Sequence, residues 1–189
     1  SLHPYGLSLH PTSEPLPLYA GAMHYFRNDP KSWPRAIDAM KAMGLHIVDI
    51  YIPWGVHEVE KGIFDFGSRS PKLDVARFLS LVHEKGMKAI VRPGPHINAE
   101  LTYFGLPERV VWDPNCQART PKGNPVVLPM VPRAFPVPSY ASDVFFEETR
   151  IWLKAVGKEL SHFRHPEGPI VMIQIDNEGA LYFRDGPYD

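Results

Sequence analysis

Apolar residues along the chain form four short runs that are typical of β-strands. The runs consist mostly of branched and aromatic side chains and span residues 18–26, 46–52, 88–92 and 170–175. Each run follows closely on a glycine or a proline, the residues that most often form turns and end helices. The run at 170–175 is almost uninterrupted, which predicts a strand buried on both faces, as in a parallel sheet.

The segments between these runs predict three helices, expected at residues 32–44, 70–86 and about 142–165. In the second helix Val75, Phe78, Leu79 and Val82 recur at the spacing of one helix face, which predicts that this face packs against the core. Similar stripes are formed by Trp33, Ile37, Met40 and Met43, and by Phe145, Trp152, Val156, Leu160 and Phe163.

Strands and helices therefore alternate as β-α-β-α-β-α-β, which predicts a parallel sheet and an α/β fold. A doubly wound nucleotide-binding domain usually carries a glycine-rich fingerprint after its first strand, and that fingerprint is missing here. A (β/α)₈ barrel is the other arrangement, but it needs roughly 250 residues. With 189 residues, the chain is expected to supply about the first four strands of such a barrel.

Composition excludes several classes of protein. A hydrophobic content of 44% supports a folded core, and a net charge of −1 gives no indication of nucleic-acid binding. The single cysteine excludes an intrachain disulfide framework. No apolar run is long enough to predict a transmembrane helix. No signal peptide is visible, but the chain does not begin with Met, so the sequence leaves the compartment open.

Polar and aromatic residues follow three of the predicted strands. Asp176, Asn177 and Glu178 directly follow the fourth strand, His96 to Glu100 lie just beyond the third, and Trp54, His57 and Glu58 follow the second. Loops at the carboxyl ends of parallel strands build the active sites of α/β proteins. A carboxylic acid delivered there by a strand is a candidate general acid or base, although an ordinary polar loop start would also explain these residues.

Several motifs taken together resemble glycoside hydrolase family 35, the retaining β-galactosidases with a (β/α)₈ barrel. The likeness extends from about Gly21 to Gly179. The motifs are GAMHYFR at 21–27, MKAMG at 40–44, YIPW at 51–54, RPGPHINAE at 92–100, GLP at 105–107 and the pair Asn177-Glu178. The resemblance implies that the chain is the first part of a single catalytic barrel domain.

The resemblance also implies roles for individual residues. Glu178 is the expected acid/base, and Asn177 is expected to contact the 2-hydroxyl of the sugar. The other expected substrate-binding residues are Tyr51, Asn98, Ala99 and Glu100. The aromatic rings of Tyr51, Trp54 and Tyr103 are expected to offer flat faces to a sugar ring. The implied substrate is a galactoside, and no cofactor or metal is expected.

The resemblance places the second catalytic carboxylate, the nucleophile, at the end of the seventh barrel strand. The 189 residues are therefore expected to have no ordinary galactosidase turnover by themselves. Arg92 is expected to pair with carboxylates rather than with sugar, and the pair His57-Glu58 to support the site rather than react. The chain departs from the family pattern at His96, at Asp176 and at Gly179-Ala180. The last change removes an aromatic residue beside the acid/base, which leaves the leaving-group contacts open.

Other functions stay open at this point. A sister family of retaining barrel glycosidases, such as family 42 β-galactosidases, β-glucosidases or mannanases, would share the pair Asn177-Glu178. A sugar-binding chain without catalytic activity would fit the missing nucleophile. The oligomeric state and the preferred linkage are not indicated by the sequence.

Overall fold

A four-stranded sheet organises the computed structural model, which describes residues 2–3, 6–11, 15–129 and 134–179. Its strands are β1 (Ala20–Ala22), β2 (Ile47–Tyr51), β3 (Lys88–Ile97) and β4 (Ile170–Asn177). They lie in the order β4-β3-β2-β1, and the β1–β2 and β2–β3 pairs are parallel. The parallel pairing predicted from the sequence is thus confirmed for these pairs.

Three longer helices connect the strands: α1 (Trp33–Ala42), α2 (Val75–Glu84) and α3 (Asp143–Leu160). The Asp74 side chain caps α2 by accepting a hydrogen bond from the Arg77 N–H at 2.8 Å. The Ser142 hydroxyl caps α3 by accepting one from the Phe145 N–H at 3.1 Å. The alternation of strand and helix is therefore confirmed, with helix ends fixed by side-chain caps.

Short elements fill the connections. Helical turns lie at Tyr25–Arg27, Pro30–Ser32, Trp54–His57, Pro71–Leu73, Thr102–Gly105, Glu108–Val111 and Ser161–Phe163. Short antiparallel strands lie at Leu2–His3, Gly6–Ser8 and Pro15–Leu16, at Glu58–Glu60 and Ile63–Phe64, and at Val127–Leu128 and Phe135–Pro136.

The described chain divides into two compact units. The first contains the residues up to Ile52 together with Asp65–Arg92 and Gly157–Gln174, and the second contains Pro53–Phe64, residues 93–156 and the residues from 175 onwards. In the first unit the apolar faces of α1 and α2 are buried. The Phe78 ring stacks on Tyr25 with centroids 5.5 Å apart and meets the edge of Trp33 at 5.3 Å. All four stripe residues of α2 are fully buried, as predicted.

The second unit has an aromatic core of its own. The rings of Trp54 and Trp152 are stacked 6.3 Å apart and nearly parallel. The indole N–H of Trp152 donates a hydrogen bond of 2.8 Å to the Pro93 carbonyl, and His57 packs beside the same ring. Trp152 therefore fixes α3 against the second half of β3, as the buried stripe of α3 predicts.

The structure corrects four details of the sequence prediction. β1 is shorter than predicted, because Tyr25–Arg27 forms a helical turn. β3 continues to Ile97 instead of ending at Pro93. β3 pairs with β2 only as far as Arg92. Pro93 and Pro95 lie beyond this point, so their lack of a backbone N–H removes no hydrogen bond to β2. Met43 is 76% exposed, because it follows the last residue of α1.

The fourth correction concerns β4, which is not buried on both faces. Ile170 is buried, but Met172, Ile173 and Ile175 are exposed at 36%, 52% and 60%. The physical reason is the position of β4 at one edge of the sheet among the described residues. The sequence of β4 is typical of a strand buried on both faces, but several of its side chains are exposed in this structure.

Candidate active site

Two neighbouring strands bring Asn98 and Glu178 together. Asn98 is the first residue after β3, and Glu178 is the first residue after β4. The side-chain amide of Asn98 donates a hydrogen bond of 2.7 Å to Oε2 of Glu178. The side-chain amide of Asn177 donates one of 3.2 Å to the Asn98 carbonyl. The structure thus joins three of the residues singled out from the sequence.

The backbone around this pair is unusual. Glu178 has a φ of +62° and Asp176 a φ of +63°, both in the left-handed region. This region costs a non-glycine residue roughly 1–2 kcal/mol, and such conformations persist only where surrounding contacts hold them. Asn177, between them, is buried, whereas the Glu178 side chain is exposed. The acid therefore sits on a constrained backbone but stays accessible to a ligand.

Beside this pair lies a group of three polar side chains that the sequence did not reveal as a group. Asp176 accepts a hydrogen bond of 3.0 Å from the backbone N–H of His96 and one of 2.8 Å from the Tyr140 hydroxyl. The same hydroxyl lies 2.6 Å from Nδ1 of His96. Tyr140 comes from the segment before α3, where no periodicity or motif marked it.

Two expected binding residues follow Asn98 directly. Ala99 is buried, and its N–H donates to the Ile97 carbonyl at 3.1 Å. Glu100 is exposed and also has a left-handed backbone, with φ of +50°. Glu100 therefore lies where a ligand can reach it.

Tyr51 belongs to the first unit, at the end of β2. Its ring packs against the Arg92 guanidinium at 5.2 Å and against the edge of His24 at 5.3 Å. Arg92 forms a two-pronged ion pair with Asp49, whose Nε–Oδ1 distance is 2.9 Å. The expectation that Arg92 pairs with a carboxylate is confirmed.

Two of the three aromatic faces expected for sugar binding are not available. Trp54 is fully buried in its stack with Trp152. Tyr103 is 6% exposed, and its hydroxyl donates to Glu108 at 3.0 Å. Both side chains stabilise the second unit, so the interpretation of these rings as sugar platforms was wrong.

A charged network lies in the second unit. Arg109 donates to both carboxylate oxygens of Glu58, at 2.9 and 2.6 Å, and to Glu148 at 2.8 Å. Lys61 forms a further ion pair of 2.8 Å with Glu148. The Glu58 side chain is only 4% exposed. Glu58 is thus held in an ion pair inside the second unit, and its support of the site stays a prediction.

Within the described residues, His, Cys, Asp and Glu side chains do not gather in groups of three or more that could bind a metal ion. None of the helices in this part of the chain is long and apolar enough to cross a membrane.

Comparison with known proteins places the chain in a family. The model of glycosyl hydrolases family 35 matches residues 8–125. The chain is 37% identical over 177 residues to a protein named β-1,2-glucosyltransferase from Ignavibacterium album, covering 91% of this chain and 24% of that protein. It is 33% identical over 171 residues to β-galactosidase-1-like protein 2 from Homo sapiens, covering 90% of this chain and 23% of that protein.

A solved structure confirms the fold. The crystal structure of β-galactosidase from the psychrophilic Marinomonas ef1 matches with a TM-score of 0.63 and 18% identity, over 86% of this chain and 22% of that chain. The α/β fold is therefore that of a partial (β/α)₈ barrel, in which the described residues contribute four strands. The chain spans about a quarter of the length of the relatives named above.

Proposed function

The chain belongs to glycosyl hydrolases family 35, and we propose that it is the first part of a single catalytic barrel that removes terminal β-D-galactose from glycosides. In this proposal Glu178 is the acid/base of a retaining mechanism. The nucleophile is a carboxylate outside these 189 residues.

The hydrogen bond from Asn98 to Glu178 carries the proposal. It fixes one carboxyl oxygen of an exposed acid at the end of a parallel strand, the location where α/β barrels place their chemistry. Because Oε2 accepts from Asn98, the proton that Glu178 delivers resides on Oε1. A positioned carboxyl group with one occupied and one available oxygen suits a general acid.

The proposed reaction has two steps. First, Glu178 gives its proton to the glycosidic oxygen while the nucleophile attacks C1, so that the C1–O bond breaks and a glycosyl-enzyme ester forms. The leaving group departs as an alcohol, and Glu178 becomes a carboxylate. In the second step that carboxylate takes a proton from water, whose oxygen attacks C1 and releases the nucleophile. Galactose is freed with retained configuration, and Glu178 regains its proton.

Galactose recognition is assigned to the polar residues around the acid. We assign Asn177 to the 2-hydroxyl, and Asn98, Ala99, Glu100 and Tyr51 to the remaining hydroxyls and the ring. A site built to hydrogen-bond the axial 4-hydroxyl discriminates against glucose, because a buried polar partner left unpaired is costly. The exposure of Glu100 next to Asn98 supports its inclusion.

Glycosyl transfer is a second candidate, supported by the 37% identity to the protein named β-1,2-glucosyltransferase. The same acid/base would then activate a sugar hydroxyl instead of water in the second step. The two functions differ in the acceptor and in the sugar transferred, and product analysis separates them.

The experiment measures products from nitrophenyl β-galactoside and β-glucoside, with and without a sugar acceptor, using the protein of the complete reading frame. Galactose release that falls by about 10²-fold or more in Glu178→Gln supports the proposal. The matched control is Glu147→Gln, an exposed carboxylate of α3 paired with Arg150. Full activity of Glu178→Gln would refute the assignment, and oligosaccharide products from glucoside would favour transfer.

The 189 residues alone are expected to release no galactose, since the proposal requires a second carboxylate outside them. Saturable hydrolysis by the purified chain, abolished in its Glu178→Gln variant, would show that this expectation is wrong.

A further inference from the structure

The side chains of His96, Asp176 and Tyr140 form a hydrogen-bonded clamp next to the pair Asn98–Glu178. Asp176 is held at both oxygens, by the His96 N–H at 3.0 Å and by the Tyr140 hydroxyl at 2.8 Å. His96 and Asp176 are 80 positions apart along the chain, and so are Asn98 and Glu178. The two contacts are therefore successive links between the ends of β3 and β4.

The hydrogens in the clamp can be assigned. Tyr140 has one hydroxyl hydrogen and donates it to Asp176. The 2.6 Å contact between the hydroxyl oxygen and Nδ1 of His96 then requires His96 to donate from Nδ1. The His96 ring is 1% exposed, and burial lowers its pKa to about 4, against the opposing effect of the Asp176 charge. A neutral His96 with its hydrogen on Nδ1 is consistent with the two contacts of the Tyr140 hydroxyl.

Gly179 provides the space that the clamp needs. A Cβ at this position would lie 2.1 Å from Oδ2 of Asp176 and 2.4 Å from the Tyr140 hydroxyl. Both distances are far below van der Waals contact, so any side chain at residue 179 would displace the hydrogen bond between Tyr140 and Asp176. The glycine next to the acid and the tyrosine from the segment before α3 therefore depend on each other.

The clamp also explains the constrained backbone at the end of β4. Asp176 and Glu178 both have left-handed φ values, and Asp176 is the residue whose carboxylate is tied to β3 and to Tyr140. Two residues later, Glu178 meets Asn98. If the contacts of Asp176 are lost, the strained backbone at Asp176 and Glu178 is expected to relax.

We propose that Tyr140, His96 and Asp176 are positioning residues that hold Glu178 in the orientation in which Asn98 binds it, and that Gly179 is required for this arrangement. The proposal rests on the proposed role of Glu178 as acid/base. It adds a function to residues outside the expected site, none of which needs to touch the sugar.

Leaving-group dependence tests the proposal, because only poor leaving groups need a proton from Glu178. In Tyr140→Phe, kcat/KM for methyl β-galactoside is expected to fall by about tenfold to hundredfold, since small misplacements of catalytic groups cost this much. For 2,4-dinitrophenyl β-galactoside the loss is expected to stay below about threefold, because this leaving group departs unprotonated. Inhibition by galactose is expected to remain unchanged.

Equal losses on both substrates would overturn the proposal, since they would indicate a general structural defect. Unchanged kcat/KM on both substrates would overturn it as well. The experiment distinguishes failure of this proposal from failure of the proposed function. If Glu178→Gln retains full activity, the acid/base assignment is wrong. If Glu178→Gln is inactive but Tyr140→Phe shows no leaving-group dependence, only the role of the clamp is wrong.

A second pair of variants tests the role of Gly179. Gly179→Ala is expected to show the same leaving-group dependence as Tyr140→Phe, and the double variant is expected to lose less than the two single losses combined, because both changes break the same hydrogen bond. Gly157→Ala is the matched control, since a Cβ there meets no atom within 4 Å. Full additivity of the two changes would contradict the shared mechanism.

Discussion

The side-chain amide of Asn98 donates a 2.7 Å hydrogen bond to the carboxylate of Glu178, a residue 80 positions further along the chain. Each residue follows the end of a strand, and the two strands are neighbours in the sheet. Sheet pairing therefore sets the distance between them, and flexible loops contribute little. An acid held in this way has one oxygen fixed before any substrate arrives.

The first prediction concerns Asn98. Asn98→Ala removes the hydrogen bond that stabilises the negative charge Glu178 acquires as it gives up its proton, and hydrogen bonds to charged groups contribute about 1.5–3 kcal/mol. We expect kcat/KM for a galactoside to fall by about tenfold to hundredfold. Asn98→Asp is expected to be worse, because it places a carboxylate against Glu178 while Glu178 becomes negatively charged. Steady-state kinetics on both variants measures the effect.

Asn124→Ala serves as the control for Asn98, because Asn124 is an exposed asparagine of the same unit. It is expected to keep the parent activity. An Asn98→Asp variant as active as Asn98→Ala would contradict the repulsion argument, and an Asn98→Ala variant with full activity would contradict the role of the hydrogen bond.

The sequence was sufficient to predict that Asn98 and Glu178 lie in one site, but not their hydrogen bond or its surroundings. Parallel strands bring their carboxyl ends to one edge of a sheet, so motifs at the ends of neighbouring strands must lie close together. Tyr140 follows a proline-rich segment whose path has no period, so its contact with Asp176 depends on the tertiary fold alone. For the same reason the burial of Trp54 was not foreseen, since it depends on stacking against Trp152 from α3.

The second prediction concerns the charged network around Arg109. Arg109→Ala leaves the carboxylate of Glu58 buried without the two hydrogen bonds that Arg109 donates to it. Removing one partner of a buried ion pair costs about 3–5 kcal/mol. Because Arg109 is itself 29% exposed, we expect a loss near the lower end, about 3 kcal/mol in the free energy of unfolding. Urea denaturation monitored by tryptophan fluorescence measures it.

The double variant Arg109→Ala/Glu58→Gln separates the charge from the packing. It is expected to recover part of the lost stability, since no unpaired charge remains buried. Arg150→Ala is the matched control, because Arg150 pairs with Glu147 on an exposed helix surface, where ion pairs contribute little to stability. Equal losses of stability in Arg109→Ala and Arg150→Ala would show that the network around Arg109 stabilises the fold no more than an exposed ion pair does.

The third prediction concerns the pH dependence of stability through His96. Burial lowers the pKa of His96 from 6.5 to about 4, with Asp176 acting in the opposite direction. Between these pH values the unfolded chain binds a proton that the folded chain excludes. Stability therefore decreases as the pH falls from 6.5 towards 4, by up to roughly 3 kcal/mol.

His96→Gln removes this titration, and thermal unfolding between pH 4 and 7 is the measurement. The variant is expected to be less stable at pH 7, because it loses the contact with Tyr140, but its stability is expected to depend less on pH. His46→Gln is the control, since His46 is exposed and its replacement is expected to leave the pH dependence unchanged. A His96→Gln variant with the parental slope would contradict the prediction.

The fourth prediction concerns the exposed apolar residues of β4. Ile173 and Ile175 are more than half exposed on a strand that lies at a sheet edge among the described residues. Edge strands with exposed apolar side chains pair readily with other chains. The isolated 189-residue chain is therefore expected to self-associate, and the variant Ile173→Thr/Ile175→Thr to associate less, as measured by sedimentation velocity.

Threonine suits this test because it keeps the branched side chain that strands prefer while removing apolar surface. A reduced association thus reports the loss of an apolar contact rather than the loss of the strand, which far-ultraviolet circular dichroism checks. Val127→Thr is the control, since Val127 is 49% exposed in a different short strand. If the double variant and Val127→Thr associate as strongly as the parent chain, β4 is not the contact surface. If Val127→Thr alone reduces association, the strand pair around Val127 is that surface instead.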